Sequence, residues 1–310
     1  MPEKTTLTDV PHVRAAPPRR SAPQLGLILC LVSGISFGFA AVFAKESYAA
    51  GWSVPSLLTT RFLLAGLLFW IVVAIRRPPM PSPRTIVICI GLGAIGYALQ
   101  SGFYFGALTR LGAAVVAQLL YIYPALVFLL ALACRRETLA ARKLLALAAT
   151  SLGLVLLLHG GGGAGGWALT GVLMALGSAV TYAIYITVAS TLPRDLDPFL
   201  SAAVICTSAA VSLGAFATST GRLQFPTHVA AWFWLLLFAL VSTVLAMVTF
   251  LAGMRLVGPS AAAILSCVEP VVTAGTSALL YSERLSGWQI AGGVAVLGAV
   301  VLLQARRRTS

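Results

Sequence analysis

The sequence predicts an all-α polytopic membrane protein, and three observations lead to this fold class. Hydrophobic residues make up 59% of the 310 residues and charged residues only 9%, whereas soluble domains carry roughly a quarter charged residues. The chain holds ten apolar stretches of about the length that a helix needs to cross a bilayer. One pattern of glycine, proline and glutamate also occurs twice. We therefore predict ten transmembrane helices arranged as two five-helix repeats.

The ten stretches follow one another with short connections. They occupy residues 24–45, 54–75, 85–107, 112–133, 143–160, 167–190, 198–219, 229–253, 259–281 and 287–304. Several contain glycine or proline, which helices tolerate in a membrane. No connection is longer than the N-terminal tail, so the sequence leaves no room for a soluble catalytic domain.

The repeat is an ungapped shift of 146 positions. It pairs Gly112 with Gly258, Ala117 with Ala263, Pro124 with Pro270, Glu137 with Glu283, and Leu139 with Leu285. Each half holds five spans, an odd number, so the second half must enter the membrane upside down relative to the first. Inverted repeats build secondary transporters, whose substrate site lies near the middle of the membrane. A channel or a scaffold built in the same way remains the alternative.

The polar segments define the domain organisation and the orientation. We predict a disordered cytoplasmic tail over 1–23, repeats over 24–160 and 167–305, a glycine linker over 161–166, and a basic cytoplasmic tail over 306–310. With the N-terminus in the cytoplasm, sixteen lysines and arginines fall on the cytoplasmic side and four on the other side. The positive-inside rule then places both termini in the cytoplasm. The net charge of +13 reflects this topology and not nucleic-acid binding, because no basic stripe is interleaved with aromatic residues.

Glu269 is the one acid of eight that falls in the middle of a predicted span. A charge at this depth costs at least a few kcal/mol unless it faces water, finds a partner or takes up a proton. We predict that Glu269 has a coupling or gating role through proton exchange. Hydrogen bonding between helices and direct substrate contact are the alternatives. Ser266 and Thr273 are predicted to share its helical face.

Pro124 and Pro270 lie at equivalent positions of the two halves. Each removes a backbone hydrogen bond and frees a carbonyl about one turn earlier. A free carbonyl in a membrane must find another partner, so such breaks tend to line a cavity. We assign both prolines to the same coupling or gating function as Glu269, with static packing kinks as the alternative.

Polar and aromatic side chains inside the spans predict a substrate cavity. Tyrosine and glutamine deep in a membrane need hydrogen-bond partners, so their helix faces should point inward. The predicted substrate contacts are Tyr97, Gln100, Ser101, Tyr104, Gln118, Tyr121, Tyr123, Ser178, Thr181, Tyr182, Tyr185, Ser266 and Thr273. Packing between helices is the alternative for each of them. A neutral cavity with aromatic walls would suit a small zwitterion or an aromatic metabolite.

Arg61 and four tryptophans are predicted near the ends of spans. Arg61 lies about seven residues into the second span. It could hold a substrate carboxylate at the exit, or its long side chain could extend to the membrane surface. Tryptophans near predicted interfaces typically anchor a helix in the bilayer. They are Trp52, Trp167, Trp232 and Trp288.

Four stretches resemble the EamA family of the drug/metabolite transporter superfamily: GISFGFAAVFAKES, LLTTRFLLAG, YPALVFLLALACRRETL and EPVVTAGTSALLYSERLSGWQIAGGVAVLGAVVLL. In that family each half ends with a helix carrying a mid-span proline, then a glutamate, then a glycine-rich helix. Pro124 with Glu137 and Pro270 with Glu283 match this order, and the resemblance covers about residues 24–305. It implies two inverted bundles, a central cavity and export of small metabolites from the bacterial inner membrane. The sequence departs from symmetry where Tyr123 occupies the position equivalent to Glu269.

The function predicted from these patterns is secondary active export. There is no phosphate-binding loop and no metal-ligand spacing, so we predict neither an enzyme nor a cofactor. The expected substrates are small organic metabolites, above all aromatic or other neutral amino acids, and the cavity is most similar to that of the YddG-type amino-acid exporters. The expected partners are the substrate, the lipid bilayer and protons as a coupling ion, with no nucleic acid. A facilitative permease, a multidrug or nucleoside exporter, a channel and a scaffold remain alternatives, and the oligomeric state is left open.

Overall fold

The computed structural model describes residues 22–111, 116, 119–135, 141–159, 169–281, 287–288, 290–292, 294–295 and 298. Each of the ten predicted spans is helical at these residues, apart from short interruptions, and the described part of the chain contains no strand. Within the described residues, six helices are long and apolar enough to cross a membrane, and shorter apolar helices accompany them. The all-α polytopic fold class is therefore confirmed.

We number the helices α1 to α10 in chain order. They are α1 (Ala22–Gly38 and Ala40–Ala49), α2 (Val54–Arg76), α3 (Pro83–Gly91, Leu92–Tyr97 and Ala98–Leu108), α4 (residues 116, 119 and 120, then Tyr123–Ala133), α5 (Ala141–His159), α6 (Leu169–Ala189), α7 (Pro198–Ser219), α8 (Val229–Ala239, Leu240–Leu245 and Ala246–Val257), α9 (Pro259–Ser266 and Glu269–Tyr281) and α10 (described residues 287–298).

Capping residues fix where the helices begin. Ser53 caps α2, Ser82 caps α3 and Asp197 caps α7, and each is followed by a proline in the first helical turn. A cap side chain accepts a hydrogen bond from a free amide, while proline at this position loses none. α8 ends at Gly258, whose φ of 87° needs a glycine, and Pro259 then begins α9. The boundaries therefore follow from local sequence.

The helices of the two halves interlock instead of forming two separate bundles. Within the described residues, the most extensive contacts join α2 to α7, α1 to α8, and α3 to α6, and every one of these pairs combines a helix from each half. The pattern is symmetric, because exchanging the halves turns the α1–α8 pair into the α6–α3 pair. α4 also packs against α6 and α9 against α1. This contact symmetry is what an internal repeat produces.

Serine hydroxyls and glycines hold the interlocked helices close together. Ser33 Oγ donates to the carbonyl of Ala246 at 2.8 Å, and Ser242 Oγ donates to the carbonyl of Ser36 at 2.6 Å. Small residues let membrane helices approach closely, and hydroxyls bond across the contact. Gly253 of α8 shows how close the approach is, since a Cβ added there would lie 2.7 Å from Cys30 Sγ.

The third helix of each half contains a π-helical turn. The turns are Leu92–Tyr97 in α3 and Leu240–Leu245 in α8. A π turn shifts the backbone hydrogen-bonding pattern and occurs frequently at functional sites. Side chains bond to carbonyls in these regions: Ser212 of α7 donates to Ala94 at 2.8 Å, and Thr243 donates to Phe238 at 3.2 Å. Neither turn was predicted from the sequence.

The helices α4 and α9 are interrupted at equivalent positions. The interruptions fall at residues 121–122 and 267–268, which the shift of 146 relates, and each helix resumes one residue before its proline. Proline cannot donate a hydrogen bond and clashes with the carbonyl four residues earlier. The break leaves Ser266 in the segment before it and Glu269 and Thr273 in the segment after it, so the three residues do not lie on one continuous helix.

Candidate functional site

Glu269 is the first residue of the second segment of α9, directly after the break. Its side chain is half-buried, and the phenol of Tyr121 in α4 lies within electrostatic range of its carboxyl group. Backbone amides at the start of a helical segment point along its axis and favour negative charge nearby. The carboxyl group therefore lies where the interrupted helices of the two halves meet.

α1 packs closely against α9 at this break. A Cβ on Gly38 would lie 2.6 Å from Val272 Cβ and 2.9 Å from the carbonyl oxygen of Glu269. Thr273 Oγ1 donates to the carbonyl of Gly38 at 2.9 Å, which ties α9 to α1 just after Glu269. The absence of a side chain at Gly38 thus permits the close approach that positions Glu269.

Six aromatic side chains form a continuous row through the interior. In order they are Phe62, Tyr97, Tyr185, Tyr182, Tyr123 and Tyr121, with successive ring centroids 4.9, 5.4, 6.1, 4.7 and 6.2 Å apart. We call this set the aromatic row. It joins four helices from both halves, and its Tyr121 end lies within electrostatic range of Glu269. The five tyrosines of the row were all predicted as substrate contacts, and the structure brings them together.

Arg61 lies at the other end of the aromatic row, beside Phe62. The side chain does not extend to the membrane surface, because the residue is only 5% exposed. Its guanidinium carbon lies 4.3 Å from the ring centroid of Phe62, 4.4 Å from that of Phe238 and 5.6 Å from that of Phe105. Of the two interpretations of Arg61, surface extension is therefore wrong.

The two charges at the ends of the aromatic row share a neighbour. The phenol of Tyr97 lies within electrostatic range of both Arg61 and Glu269. Tyr104, also predicted as a substrate contact, is half-buried, and its phenol interacts electrostatically with Glu269 and with Tyr48. Among the described residues, Arg61 and Glu269 therefore place a cation and an acid in the interior, with hydroxyl-bearing rings between them.

Several of the other predicted contacts serve the packing of the helices. Gln100 and Ser178 bond to each other between α3 and α6, since Gln100 Nε2 donates to Ser178 Oγ at 3.3 Å and Ser178 Oγ donates to the Gln100 carbonyl at 3.1 Å. Ser101 Oγ donates to Gln100 Oε1 at 3.3 Å. Thr181 and Ser266 bond to carbonyls of their own helices. The observed hydrogen bonds of these five residues therefore either join α3 to α6 or stay within one helix.

The remaining site predictions concern the prolines and Gln118. Pro124 and Pro270 are buried beside the two helix breaks, as expected for residues that interrupt a helix. Tyr123, next to Pro124, donates a hydrogen bond from its hydroxyl to the carbonyl of Ala263 at 3.3 Å. The contact joins α4 to α9. Gln118 lies outside the described residues.

The phenylalanines around Arg61 were missed by the sequence reasoning. Phe62, Phe105 and Phe238 come from α2, α3 and α8, and all three are buried. Phenylalanine carries no polar atom, so nothing in its helix distinguishes a ring that faces a cation from one that faces lipid. The one available signal was an arginine inside an apolar span, which requires partners of some kind.

The prediction that Trp52 anchors the chain at the membrane surface is wrong. Trp52 is buried, its Nε1 donates to the carbonyl of Ala231 at 3.0 Å, and its ring lies 5.1 Å from that of Trp232. It joins the start of α2 to α8 instead of facing lipid. Trp232 and Trp288 are exposed, as expected for anchoring residues, and Trp167 lies outside the described residues.

Two surface cavities lie away from this interior site. One, of about 470 Å³, is lined mainly by apolar residues of α2, α3 and α7, including Trp70 and Thr207. The other, of about 510 Å³, lies where α2 ends and α7 begins and is lined in part by Arg76, Asp197 and Arg255. Neither cavity is lined by Arg61 or Glu269.

The comparisons with known proteins agree with the architecture. The EamA-like transporter family matches this chain twice, over residues 24–159 and 169–304. A protein of Bacillus subtilis (strain 168) described as the uncharacterized transporter YcbK is 28% identical over 91% of this chain and 93% of its own length. An uncharacterized transporter of Archaeoglobus fulgidus is 26% identical over 90% and 96%. A crystal structure with 19% identity superposes with a TM-score of 0.79 over 93% of this chain and 99% of that one.

Proposed function

Since the chain belongs to the EamA-like transporter family, we propose that it exports small organic metabolites, above all amino acids, by alternating access. The observation that carries this proposal is the placement of Glu269. Its carboxyl group lies at a helix break between the halves, within electrostatic range of Tyr121 at one end of a row of tyrosines. Broken helices at the interface of inverted repeats are where secondary transporters bind substrate.

The side chains at this site favour a small amphipathic solute. The rings of Tyr97, Tyr182 and Tyr185 offer stacking surfaces and hydroxyl groups. Glu269 offers a carboxylate that would pair with an ammonium group. A neutral or aromatic amino acid combines a ring or a short side chain with an ammonium group, which supports the comparison with YddG-type exporters.

Glu269 is also the group that we propose couples export to protons. Its carboxyl group holds either a proton or the ammonium group of the substrate, and this competition exchanges one for the other. The other titratable groups around it are the phenols of Tyr97, Tyr104, Tyr121, Tyr123 and Tyr182 and the thiol of Cys267, all of them neutral at pH 7. An acidic exterior therefore drives export, because protons reach Glu269 from outside and displace the substrate there.

The proposed location is the bacterial inner membrane, with both termini in the cytoplasm. The support is the distribution of charge, sixteen lysines and arginines against four. A reporter that is active only outside the cytoplasm, fused after Ser310, should stay inactive. The same reporter fused after Arg222 should be active, and the opposite pattern would overturn this orientation.

Counterflow in proteoliposomes tests the proposed function. We expect saturable exchange of at least one labelled amino acid, accelerated when the compartment facing the non-cytoplasmic side is made acidic. Glu269→Gln should retain exchange but lose the acceleration. Asp195→Asn is the matched control, because Asp195 is an exposed acid in a connection, and it should behave as the wild type.

Each failure has a separate meaning. Acceleration that persists in Glu269→Gln removes the coupling role and leaves an uncoupled permease. No movement of any amino acid at any pH overturns amino-acid export. Currents that do not saturate would indicate a channel.

A further inference from the structure

Arg61 is the only buried charged residue among the side chains that the structure describes. Its charge lies in the middle of the interlocked helices, surrounded by α1, α3, α7 and α8. The packing of three phenylalanine rings against the guanidinium keeps lipid and most water away. A cation in such a place is rare in membrane helices and usually marks a substrate or ion pathway.

No described acid forms an ion pair with Arg61, and Nε of the guanidinium has no hydrogen-bond partner among the described residues. The titratable groups within electrostatic range of it are the phenols of Tyr48 and Tyr97 and the thiol of Cys206. All three are neutral at pH 7. The hydroxyl of Tyr48 is buried and likewise lacks a partner. Nε of the guanidinium and the hydroxyl of Tyr48, both able to donate, thus lie buried without a hydrogen-bond partner among the described residues.

Aromatic faces compensate a desolvated cation only in part, since they offer no acceptor for its N–H groups. The missing component is an anion with oxygen acceptors. A guanidinium presents its donors as a planar fork, which fits the two oxygens of a carboxylate. A carboxylate is therefore the anion that fits the guanidinium of Arg61.

We propose that Arg61 binds the carboxylate of the transported solute. This inference rests on the proposed function. It adds that the protein recognises the acidic group of the solute, at the end of the aromatic row where Phe62 lies. A solute with one carboxylate is favoured over a phosphate ester, because a single guanidinium faces it and the acid Glu269 lies within range of the same Tyr97 phenol. A second negative charge would meet repulsion and no second cation among the described interior residues.

The test measures binding separately from transport. Purified protein in detergent is titrated with benzoate, with L-phenylalanine, with phenethylamine (which lacks the carboxylate) and with inorganic phosphate. The readout is the unfolding temperature, which rises when a ligand binds the folded state. We expect benzoate and L-phenylalanine to stabilise the wild type and inorganic phosphate not to do so at equal concentration. Any stabilisation by phenethylamine, which can pair with Glu269 but not with Arg61, should be the same in Arg61→Gln as in the wild type.

Two variants of Arg61 and one control assign the effect. Arg61→Gln should weaken benzoate binding at least about tenfold, since charge-assisted hydrogen bonds are lost. Arg61→Lys, which keeps the charge but not the fork, should fall between this variant and the wild type. Arg222→Gln removes an exposed arginine and should bind as the wild type does. Without ligand, Arg61→Gln should unfold at the wild-type temperature or above, because an unpaired buried charge has been removed.

The outcomes separate this inference from the proposed function. Equal benzoate binding by Arg61→Gln and the wild type overturns it, as does stabilisation by phosphate alone. A large fall in the unfolding temperature of unliganded Arg61→Gln would assign Arg61 a packing role and overturn it too. Benzoate binding at Arg61 in a protein that moves no amino acid would retain the anion site and overturn amino-acid export. Transport of phenethylamine without benzoate binding would retain a transporter and overturn the carboxylate site.

Discussion

Gly38→Ala should lower the stability of the protein, because Gly38 packs tightly against α9 next to Glu269. Comparison with a second glycine-to-alanine variant removes the general effect of placing alanine in a helix. The new Cβ would lie 2.6 Å from Val272 Cβ and 2.9 Å from the carbonyl oxygen of Glu269. Neither atom is the mobile end of a side chain, so the backbone of α1 or α9 has to move. Overpacking of this kind costs about 1–3 kcal/mol.

Gly102→Ala is the matched control, because it lies in a helix and a Cβ there would meet nothing within 4 Å. Both variants share the gain in helix propensity of up to about 1 kcal/mol from replacing glycine with alanine. Their difference therefore isolates the steric cost. It corresponds to about a 5- to 150-fold change in the ratio of folded to unfolded protein.

The measurement is equilibrium unfolding of both variants in mixed micelles, followed by counterflow with and without a pH gradient. We expect Gly38→Ala to be the less stable variant and to lose acceleration by the gradient, because the displaced backbone carries Glu269. Equal stability of the two variants, with acceleration intact in both, would refute the reasoning that Gly38 positions the acid.

Two further predictions concern the packing of the helices. Ser242→Ala removes the hydrogen bond to the carbonyl of Ser36 and should lower stability by about 0.6–1.7 kcal/mol, the range for such bonds in membranes; unfolding in mixed micelles would show it, and an unchanged stability would contradict it. Asp197→Ala removes the cap of α7, whose Oδ1 accepts from two amides at 2.8 and 3.1 Å, and should cost about 0.5–2 kcal/mol. Asp197→Asn keeps the cap and loses only the ion pair with the half-exposed Arg76, so it should stay close to the wild type; equal losses in both variants would assign the effect to the ion pair instead.

The order of the helices could be predicted from the sequence because a membrane imposes a length and an apolar composition on each helix separately. The predicted span 198–219 coincides with α7, and 54–75 falls one residue short of α2. Pro124 and Pro270 indicated that α4 and α9 would be interrupted, since the reason is local to the proline. Local causes of this kind are visible in one sequence.

The π turns and the surroundings of Arg61 depend on distant segments and could not be predicted. The carbonyl of Ala94 in the π turn of α3 accepts from Ser212, which is 118 residues away. The direction of the Arg61 side chain is set by Phe105 and Phe238, whose helices pack beside α2. The position of Arg61 near the end of a span indicated that its side chain would extend to the membrane surface. The rings of Phe105 and Phe238 contact the guanidinium in the interior instead.

The sequence predicted which tyrosines come together better than it predicted the hydrogen bonds of the serines and threonines. The tyrosines do meet, because large polar rings in a membrane helix must face the interior. The hydroxyls were harder to assign, since a serine or threonine can bond to its own helix instead of facing a cavity. Thr181 and Ser266 do so, and their sequence positions alone do not distinguish the two cases.

The interlocking of the halves sets the order in which the protein can be assembled during synthesis. Ser33 of α1 donates to a carbonyl 213 residues further along the chain. At about 5–20 residues per second, the ribosome needs about 10–40 seconds to make that partner. Throughout this interval α1 must satisfy its serine hydroxyls within its own helix or against another protein. A chain that stops at the glycine run would hold five helices whose best partners do not yet exist. The two halves, made as separate polypeptides, should therefore survive in the membrane only when they are made together.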